Sequence, residues 1–319
     1  MIKLDNIDLK IIDISGKKTV SGEELSKEFC VSRTAIWKRI KKLENIGYKF
    51  SHSKEGYKLL KRTQLLLENE IKPLLKTNTI GQNYIFFKEI DSTNTYSKST
   101  DLPHGTVVVA ENQTKGKGRK GRKWLSTSQK GLYFSITLKP NIQINELMKF
   151  SLIFPLALQK TLKEYGFNTK IKWPNDIYLN NKKLAGILLE TDIEGSEIKK
   201  IVVGIGININ HSENDLQEVK DIATSLKIES GKSINRKKLF ADLLYNIEKL
   251  YLDYTSKNLD VLKEVEKNLL WKNEKVILID GDNRYEGVLA GLNLQGGLQI
   301  LLNGKIIDFY SGDLSLRRI

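Results

Sequence analysis

Lys115-Gly-Lys-Gly-Arg-Lys-Gly-Arg-Lys-Trp124 is the stretch on which the reading of the fold turns. Six of the nine residues from Lys115 to Lys123 are cationic, the other three are glycine, and no acid occurs between Glu111 and Glu146. Glycine permits positive φ and close backbone approach, so successive N–H groups can face an anion while Lys and Arg supply charge. Taken literally, Gly116, Gly118 and Gly121 spell G-x-G-x-x-G, the sign of a doubly wound nucleotide fold. That motif has to open a helix, and Trp124-Leu-Ser-Thr-Ser-Gln-Lys-Gly-Leu-Tyr-Phe134 is turn-rich and then strand-like. Gly116-x4-Gly121 also begins like a P-loop, but Arg122-Lys123 stands where Lys-Ser/Thr is required, so the magnesium-binding hydroxyl is missing. Both readings are rejected, which leaves a phosphate-holding loop in a different fold, with a solvated basic loop as the plain alternative.

Outward from the loop the periodicity is that of strands: Tyr84-Ile-Phe-Phe87, Thr106-Val-Val-Val-Ala110, 131–138, Lys170-Ile-Lys-Trp173, Ile177-Tyr-Leu179, 185–190 and 201–208. Helical patterns lie between some of them, from Leu147 to Tyr165 and from Asn235 to Thr255. The expectation is an α+β domain around a mixed sheet over residues 84–270. From 271 to 319 short strands with glycine turns at Asp280-Gly-Asp282 and Gly296-Gly297 predict a small antiparallel barrel of the SH3-like type. Residues 63–83, with Thr63-Gln-Leu-Leu-Leu-Glu-Asn-Glu-Ile-Lys-Pro-Leu-Leu75, read as a connector helix running through a proline.

Residues 1–62 read as a winged helix-turn-helix domain. Ser21 and Glu24 form a capping box for a helix with Leu25 and Phe29 on its apolar side. Cys30-Val31 make a tight connection, with Cys30 expected as a small buried turn residue. Ser32 caps a second helix in which Ala35, Ile36, Ile40 and Leu43 recur at helical spacing. That leaves Arg33, Thr34, Trp37, Lys38 and Lys41 on other faces, residues suited with Ser32 to phosphates and base edges. Gly47 ends the helix, and 48–60 reads as a hairpin turning near Lys54-Glu-Gly56, the wing. Such units also serve in protein contacts.

Composition agrees with a polyanionic partner. The formal charge is +14 over 319 residues, and residues 1–62 hold 15 Lys and Arg against 8 Asp and Glu. There is no apolar run long enough for a membrane span and no signal-peptide pattern at the N-terminus, so a cytoplasmic protein is expected. One Cys and three His exclude an internal disulfide framework and a Cys/His zinc cluster.

A second chemical cluster follows the loop. Lys172-Trp-Pro-Asn-Asp176 ends one strand and Asn181-Lys-Lys-Leu-Ala-Gly186 begins another after a tight connection, so Asn175, Asp176 and Lys183 can meet at one end of a hairpin. Lys facing a carboxylate suits charge stabilisation during acyl transfer, and Asn with Asp suits magnesium or orientation of the Lys. The bland reading is turn chemistry alone.

Asp91-Ser-Thr-Asn94, Lys117-Gly-Arg-Lys-Gly-Arg-Lys-Trp124, Lys172-Trp-Pro-Asn-Asp176, Lys183-Leu-Ala-Gly186 and Gly204-Ile-Gly-Ile-Asn208 together resemble, in order and spacing, the motif series of biotin protein ligases. With the N-terminal winged helix, nearly the whole chain is similar to the bifunctional type that also represses biotin biosynthesis genes. The resemblance implies activation of biotin with ATP and Mg2+ to biotinyl-5′-adenylate, then transfer to a lysine of a biotin carboxyl carrier domain. It implies Lys183, Arg119 and Asp176 as catalytic residues. It implies a biotin site of Ser92, Thr93, Asn94, Gln113, Gly116, Lys117, Gly118, Arg119, Lys183, Gly186, Leu188 and Gly206. For ATP it implies Arg119, Arg122, Trp124, Asn175, Asn208, Asp313 and Arg317, with Asn175 near the metal. Operator DNA and a homodimer formed on ligand binding are the implied partners. The family loop more usually has Arg at the positions of Lys117 and Lys120, which keeps charge but loses two-pronged contacts. A lipoate or octanoyl transferase, or a biotin-sensing repressor without catalysis, is the alternative.

Overall fold

The computed structural model describes residues 2–280, 282–310 and 314–318. It divides into two compact units, Met1–Glu70 and Ile71–Ile319.

The first unit opens with a helix that the sequence reading passed over, α1 (Asn6–Lys17), begun by a reciprocal cap between Asp5 and Asp8. Then come α2 (Gly22–Phe29), with the expected Ser21–Glu24 capping box, and α3 (Arg33–Asn45), capped by Ser32. Strands β1 (Lys49–Ser53) and β2 (Gly56–Lys61) pair antiparallel as the wing. Ile11, Leu25, Ile36, Ile40 and Leu43 are fully buried and form the core of the unit. The buried Asp8 carboxylate takes Arg39 Nη1 at 2.7 Å and the Lys42 ammonium, which pins α1 to the back of α3. Arg39 also holds the Asp5 carboxyl below its usual range by a hydrogen bond. Gly56 is required: a Cβ there would lie 2.1 Å from the Val20 carbonyl, where the wing bridges to the helices. Cys30 corrects an expectation, because it is exposed. It ends α2 at φ 51°, a left-handed turn that carries the thiol outward.

The connector corrects another. Instead of one helix over 63–83, there is a single α-turn, α4 (Glu68–Ile71), and a 3-10 turn at Lys72–Leu74. Pro73 lacks the N–H and crowds the preceding turn, so the helix cannot propagate.

In the second unit the strands are β3 (Tyr84–Ile90), β4 (Val107–Gln113), β5 (Gly131–Leu138), β6 (Lys170–Lys172), β7 (Asp176–Leu179), β8 (Lys182–Glu194) and β9 (Glu197–Asn208). They form one mixed sheet in the order β3-β4-β5-β9-β8-β7-β6, with β3 and β4 parallel and the other pairs antiparallel. Strands β8 and β9 extend into a polar hairpin beyond the expected apolar runs. The helices are α5 (Thr93–Ser99), α6 (Leu147–Ser151), α7 (Ile153–Glu164), α8 (Leu226–Ser230), α9 (Arg236–Thr255) and α10 (Val261–Glu266). Side chains alternate along β5: Phe134 packs edge-on to Phe240 of α9 at 4.8 Å, and Ser135 faces α5 on the opposite side. Helix α5 escaped sequence reading because Thr-Asn-Thr-Tyr-Ser-Lys-Ser has weak helix propensity; Ser92 starts it by accepting from Thr95 N.

The last strands, β10 (Lys275–Asp280), β11 (Asn283–Leu292), β12 (Leu298–Leu302), β13 (Lys305–Phe309) and β14 (Leu314–Arg318), form an antiparallel sheet in the order β13-β12-β11-β10-β14. Trp173 Nε1 donates to the Gly296 carbonyl at 3.0 Å and Leu292 N–H to the Glu266 carboxylate at 2.8 Å, which docks this sheet against the larger domain.

Candidate active site

The cationic loop is a hairpin closed on itself. Trp124 N–H donates to Gly116 O at 2.9 Å, Gly118 N–H to Arg122 O at 2.7 Å, and Lys117 bridges Lys123. Its tip is the 3-10 turn Arg119–Gly121, not the start of a long helix. A Cβ on Gly116 would sit 2.5 Å from the Trp124 carbonyl, and Gly121 holds φ 70°. The glycines therefore permit the close crossing and the tight tip.

The loop covers a cleft of about 330 Å³ whose lining includes Lys117, Arg119, Arg122, Lys123, Lys172 and Lys183, with Asp176 as the lining carboxylate. So marked an excess of positive charge around an enclosed space fits a polyanion. Lys183 Nζ lies 2.7 Å from Asp176 Oδ2, across the β7–β8 hairpin that the sequence predicted. Asn180 and Asn181 make its turn at positive φ. The backbone of Lys183 is held from outside the sheet, its N–H donating to Ile222 O and its carbonyl accepting from Thr224 N–H. Arg119 Nη1 donates to Asn175 Oδ1 at 3.2 Å, joining loop tip and hairpin. Lys172 stands over the rings of Tyr178 and Trp271 at 5.1 and 5.4 Å. Burial, with the Asp176 charge adding to it, pushes the Tyr178 phenol up to about 12, so it stays neutral at ordinary pH.

Trp124 lies across the glycine platform of β8 and β9. A Cβ on Gly206 would be 2.5 Å from its indole and one on Gly186 3.1 Å, while Lys183 Nζ is 5.7 Å from the ring. Its Nε1 is buried with no partner among the described residues, as is Asp176 Oδ1. Such orphaned polar atoms inside a cleft mark places where a ligand can complete the bonding.

The far end of the cleft is polar and neutral. Thr93 N–H donates to Gln113 Oε1 at 2.8 Å, with Thr93 Oγ1 at 3.1 Å from the same oxygen. Behind them Ser135 Oγ lies 2.7 Å from Thr93 Oγ1 and 2.6 Å from Asn94 Oδ1, and Asn94 Nδ2 reaches Glu190 at 2.9 Å. Ser92, Thr93 and Asn94 are nearly fully buried. Gly118, Gly186, Leu188, Gly206 and Asn208 also line the cleft. Asn208 donates to Thr224 O at 3.1 Å.

The structure thus brings together all the cleft residues expected from sequence except Gly116, which shapes the loop, and the two C-terminal positions. Asp313 lies outside the described residues, and of Arg317 only the backbone is described, opposite Ile277 in β14. Sequence reading missed Ser135 and Glu190, which sit behind the wall, and Leu216, Val219, Ile222 and Ala223, which line it. The segment 213–223 has no periodicity to signal this; only its pairing to Lys183 places it.

A metal-binding role for Asn175 meets a poor donor set. Its oxygen faces Arg119 and its Nδ2 donates to Ile187 O at 2.6 Å. No cluster of three His, Cys, Asp or Glu able to hold a metal exists among the described residues. The cleft does not make a cation cage of its own.

In the first unit Arg33, Thr34, Trp37 and Lys38 are exposed along α3, Trp37 by 49%. Ser32 Oγ is engaged as the cap of α3, and Lys41 pairs with Glu44 at 2.8 Å, which in turn bonds His52 of the wing at 2.7 Å.

A mixed-sheet domain with a cationic cleft, in one chain with a winged helix-turn-helix unit, defines a class of ligase. The profile of the Biotin/lipoate A/B protein ligase family matches residues 86–208 and that of an HTH domain residues 9–58. The chain is 34% identical to the bifunctional ligase/repressor BirA of Bacillus subtilis (strain 168) over 97% of both chains. It is 31% identical to that of Escherichia coli (strain K12) over 99% of both. Among solved structures, the biotin protein ligase from Aquifex aeolicus in complex with biotin and ATP superposes with a TM-score of 0.66 at 37% identity, covering 75% of this chain and all of that one. The chain belongs to the family of bifunctional biotin protein ligase/repressors.

Proposed function

We propose that the protein activates biotin with ATP and transfers the biotinyl group to a lysine of a biotin carboxyl carrier domain, and that it represses biotin biosynthesis genes with the adenylate as corepressor. One observation carries the ligase reading: a cleft with six cationic side chains, Lys183 paired to Asp176 among them, continuous with a buried neutral pocket at Thr93 and Gln113. The first step brings two anions together. A biotin carboxylate oxygen attacks the α-phosphorus of ATP, forming the mixed anhydride and expelling pyrophosphate. The carrier amine then attacks the carbonyl and AMP leaves with the C–O bond electrons. Lys183, fixed by Asp176, stabilises the carboxylate and bridging oxygen, and Arg119 and Arg122 hold phosphate. Trp124 covers the adenylate from the loop side. Ser92, Thr93 and Gln113 bind the ureido ring, with Gly186, Leu188 and Gly206 against its flank. Mg2+ is read as the companion of the triphosphate, since Asn175 turns its oxygen to Arg119.

For DNA the reading rests on the exposed Arg33, Thr34, Trp37 and Lys38 of α3 and on the HTH match. No helix among the described residues is long and apolar enough to cross a membrane; the inferred setting is the cytoplasm. The decisive experiment incubates the protein with ATP, biotin and a carrier domain and measures pyrophosphate and the carrier's intact mass. One added biotinyl group is expected. Modification by lipoate or octanoate in its place, or none, would overturn the assignment.

A further inference from the structure

Behind the neutral end of the cleft, four side chains form a hydrogen-bonded line that has a single direction. Glu190 is a carboxylate and only accepts. Asn94 Nδ2 lies 2.9 Å from Glu190 Oε2 and 3.4 Å from Leu188 O, so both neighbours of that nitrogen are acceptors. The amide therefore has one orientation, its NH2 toward Glu190 and its oxygen toward Ser135. Ser135 Oγ stands 2.6 Å from that oxygen and must donate its proton to it. The 2.7 Å contact between Ser135 Oγ and Thr93 Oγ1 also needs a proton, and with Ser135's already committed it comes from Thr93. Gln113 Oε1, 3.1 Å from Thr93 Oγ1, is the competing acceptor for that proton, but it already takes the Thr93 N–H at 2.8 Å, whereas the shorter 2.7 Å contact to Ser135 has no other proton to fill it. Thr93 has given its proton inward and faces the cleft with lone pairs only.

The line is built into the fold. Ser135 and Thr93 are 0% and 3% exposed, and a Cβ on Gly204 would lie 2.0 Å from Asn94 Oδ1. Glu190 and Ser135 do not line the cleft themselves. Lys98 Nζ lies 3.9 Å from the other oxygen of Glu190.

We propose that Glu190 and Ser135 are specificity-determining positioning residues which, through Asn94, hold Thr93 as a hydrogen-bond acceptor and so select a ligand that presents an N–H there. The proposal rests on the cleft being a biotin site, whose ureido ring offers such a donor. It assigns Asn94 to orienting Thr93 rather than to touching the ligand with its amide.

The test is calorimetric titration of the full chain with biotin and with its two cyclic carbamate isomers, in which ring oxygen replaces one ureido N–H. An analogue that sets an oxygen against Thr93 leaves two acceptors facing each other, so one isomer should bind wild type at least about a hundredfold more weakly than biotin. In Glu190→Gln the new amide can donate to Asn94, which lets the Asn94 amide and the two hydroxyl protons reverse. The biotin-to-carbamate ratio should fall about tenfold or more. Ser135→Ala removes the inward acceptor for the Thr93 proton and should lower the ratio likewise; it decides the matter if Glu190→Gln does not melt as a folded protein. An unchanged ratio in the folded variants overturns the proposal, even if both ligands bind more weakly, because a purely structural role scales both alike. Wild type that does not bind biotin would overturn the functional reading as well, an outcome distinct from a ratio that fails to move.

Discussion

Lys183 shows how one side chain acquires a role from two neighbours. Asp176 holds its ammonium and the 222–224 segment holds its backbone, so a cation stands fixed where, in the proposed reaction, negative charge gathers during adenylation. Lys183→Ala should cut pyrophosphate release by roughly a hundredfold to a thousandfold while biotin binding changes little, since the Thr93–Gln113 end is untouched. Stopped-flow pyrophosphate assay beside calorimetry checks both halves. His211 is a residue of another kind. Its Nε2 lies 3.0 Å from the Tyr133 hydroxyl, which in turn holds Thr127 N–H at the root of the cationic loop. Burial pushes the imidazole from 6.5 down to about 4. The folded form is thus neutral, and its stability is full above pH 6.5. As pH falls from 6.5 toward 4 the unfolded chain gains a proton that the folded one refuses, at a cost of up to about 3 kcal/mol. The Tm of wild type should fall more steeply than that of His211→Gln across this window; parallel curves would refute the assignment.

Among the elements, the loop 115–124 combines glycine with charge. Its tip is held by the Arg122 N–H to Arg119 O bond and by Arg119 reaching Asn175. Arg119→Gly removes that tether and the proposed phosphate contact and adds a fourth glycine to the loop. The reactive adenylate should then escape before the carrier arrives. Bystander proteins incubated with the variant, ATP and biotin are expected to gain about tenfold more label than with wild type, read by streptavidin blot. Equal labelling would show that Arg119 does not retain the intermediate. Much of this element was legible in sequence: glycine and charge at fixed spacing, and a following stretch unable to form a helix. The missed elements are those whose signal is not apolar periodicity. Helix α5 is polar, α1 depends on an acidic cap, and 213–223 is shaped by what it pairs with.

At the scale of the molecule, two compact units divide the proposed activities, which makes them separable. Deleting residues 1–70 should leave carrier biotinylation within a few-fold of wild type and abolish DNA binding. With Arg33 and Lys38 of each of two subunits on phosphate, binding should fall on the order of a hundredfold for a fourfold rise in salt. Lys41 adds less, because Glu44 competes for its charge. Gel shifts on the protein's own biotin-gene promoters, with and without biotin plus ATP, test whether the adenylate is required. Binding that ignores the ligand would break the proposed role of the adenylate as corepressor.

What the sequence by itself determined here is whatever local chemistry specifies. The Ser21–Glu24 cap, the Asn180-Asn181 turn that sets Lys183 against Asp176, and the apolar runs of the central sheet all depend on residues near one another in the chain. Tertiary structure alone decided what depends on partners far apart. The direction of the Glu190–Asn94–Ser135–Thr93 line joins β8, α5 and β5, and no spacing in the chain announces it. The Trp124 indole on Gly186 and Gly206 is likewise a contact between a loop and two strands. A hydrogen bond's polarity is fixed by all its neighbours at once, and those neighbours meet only when the sheet has formed.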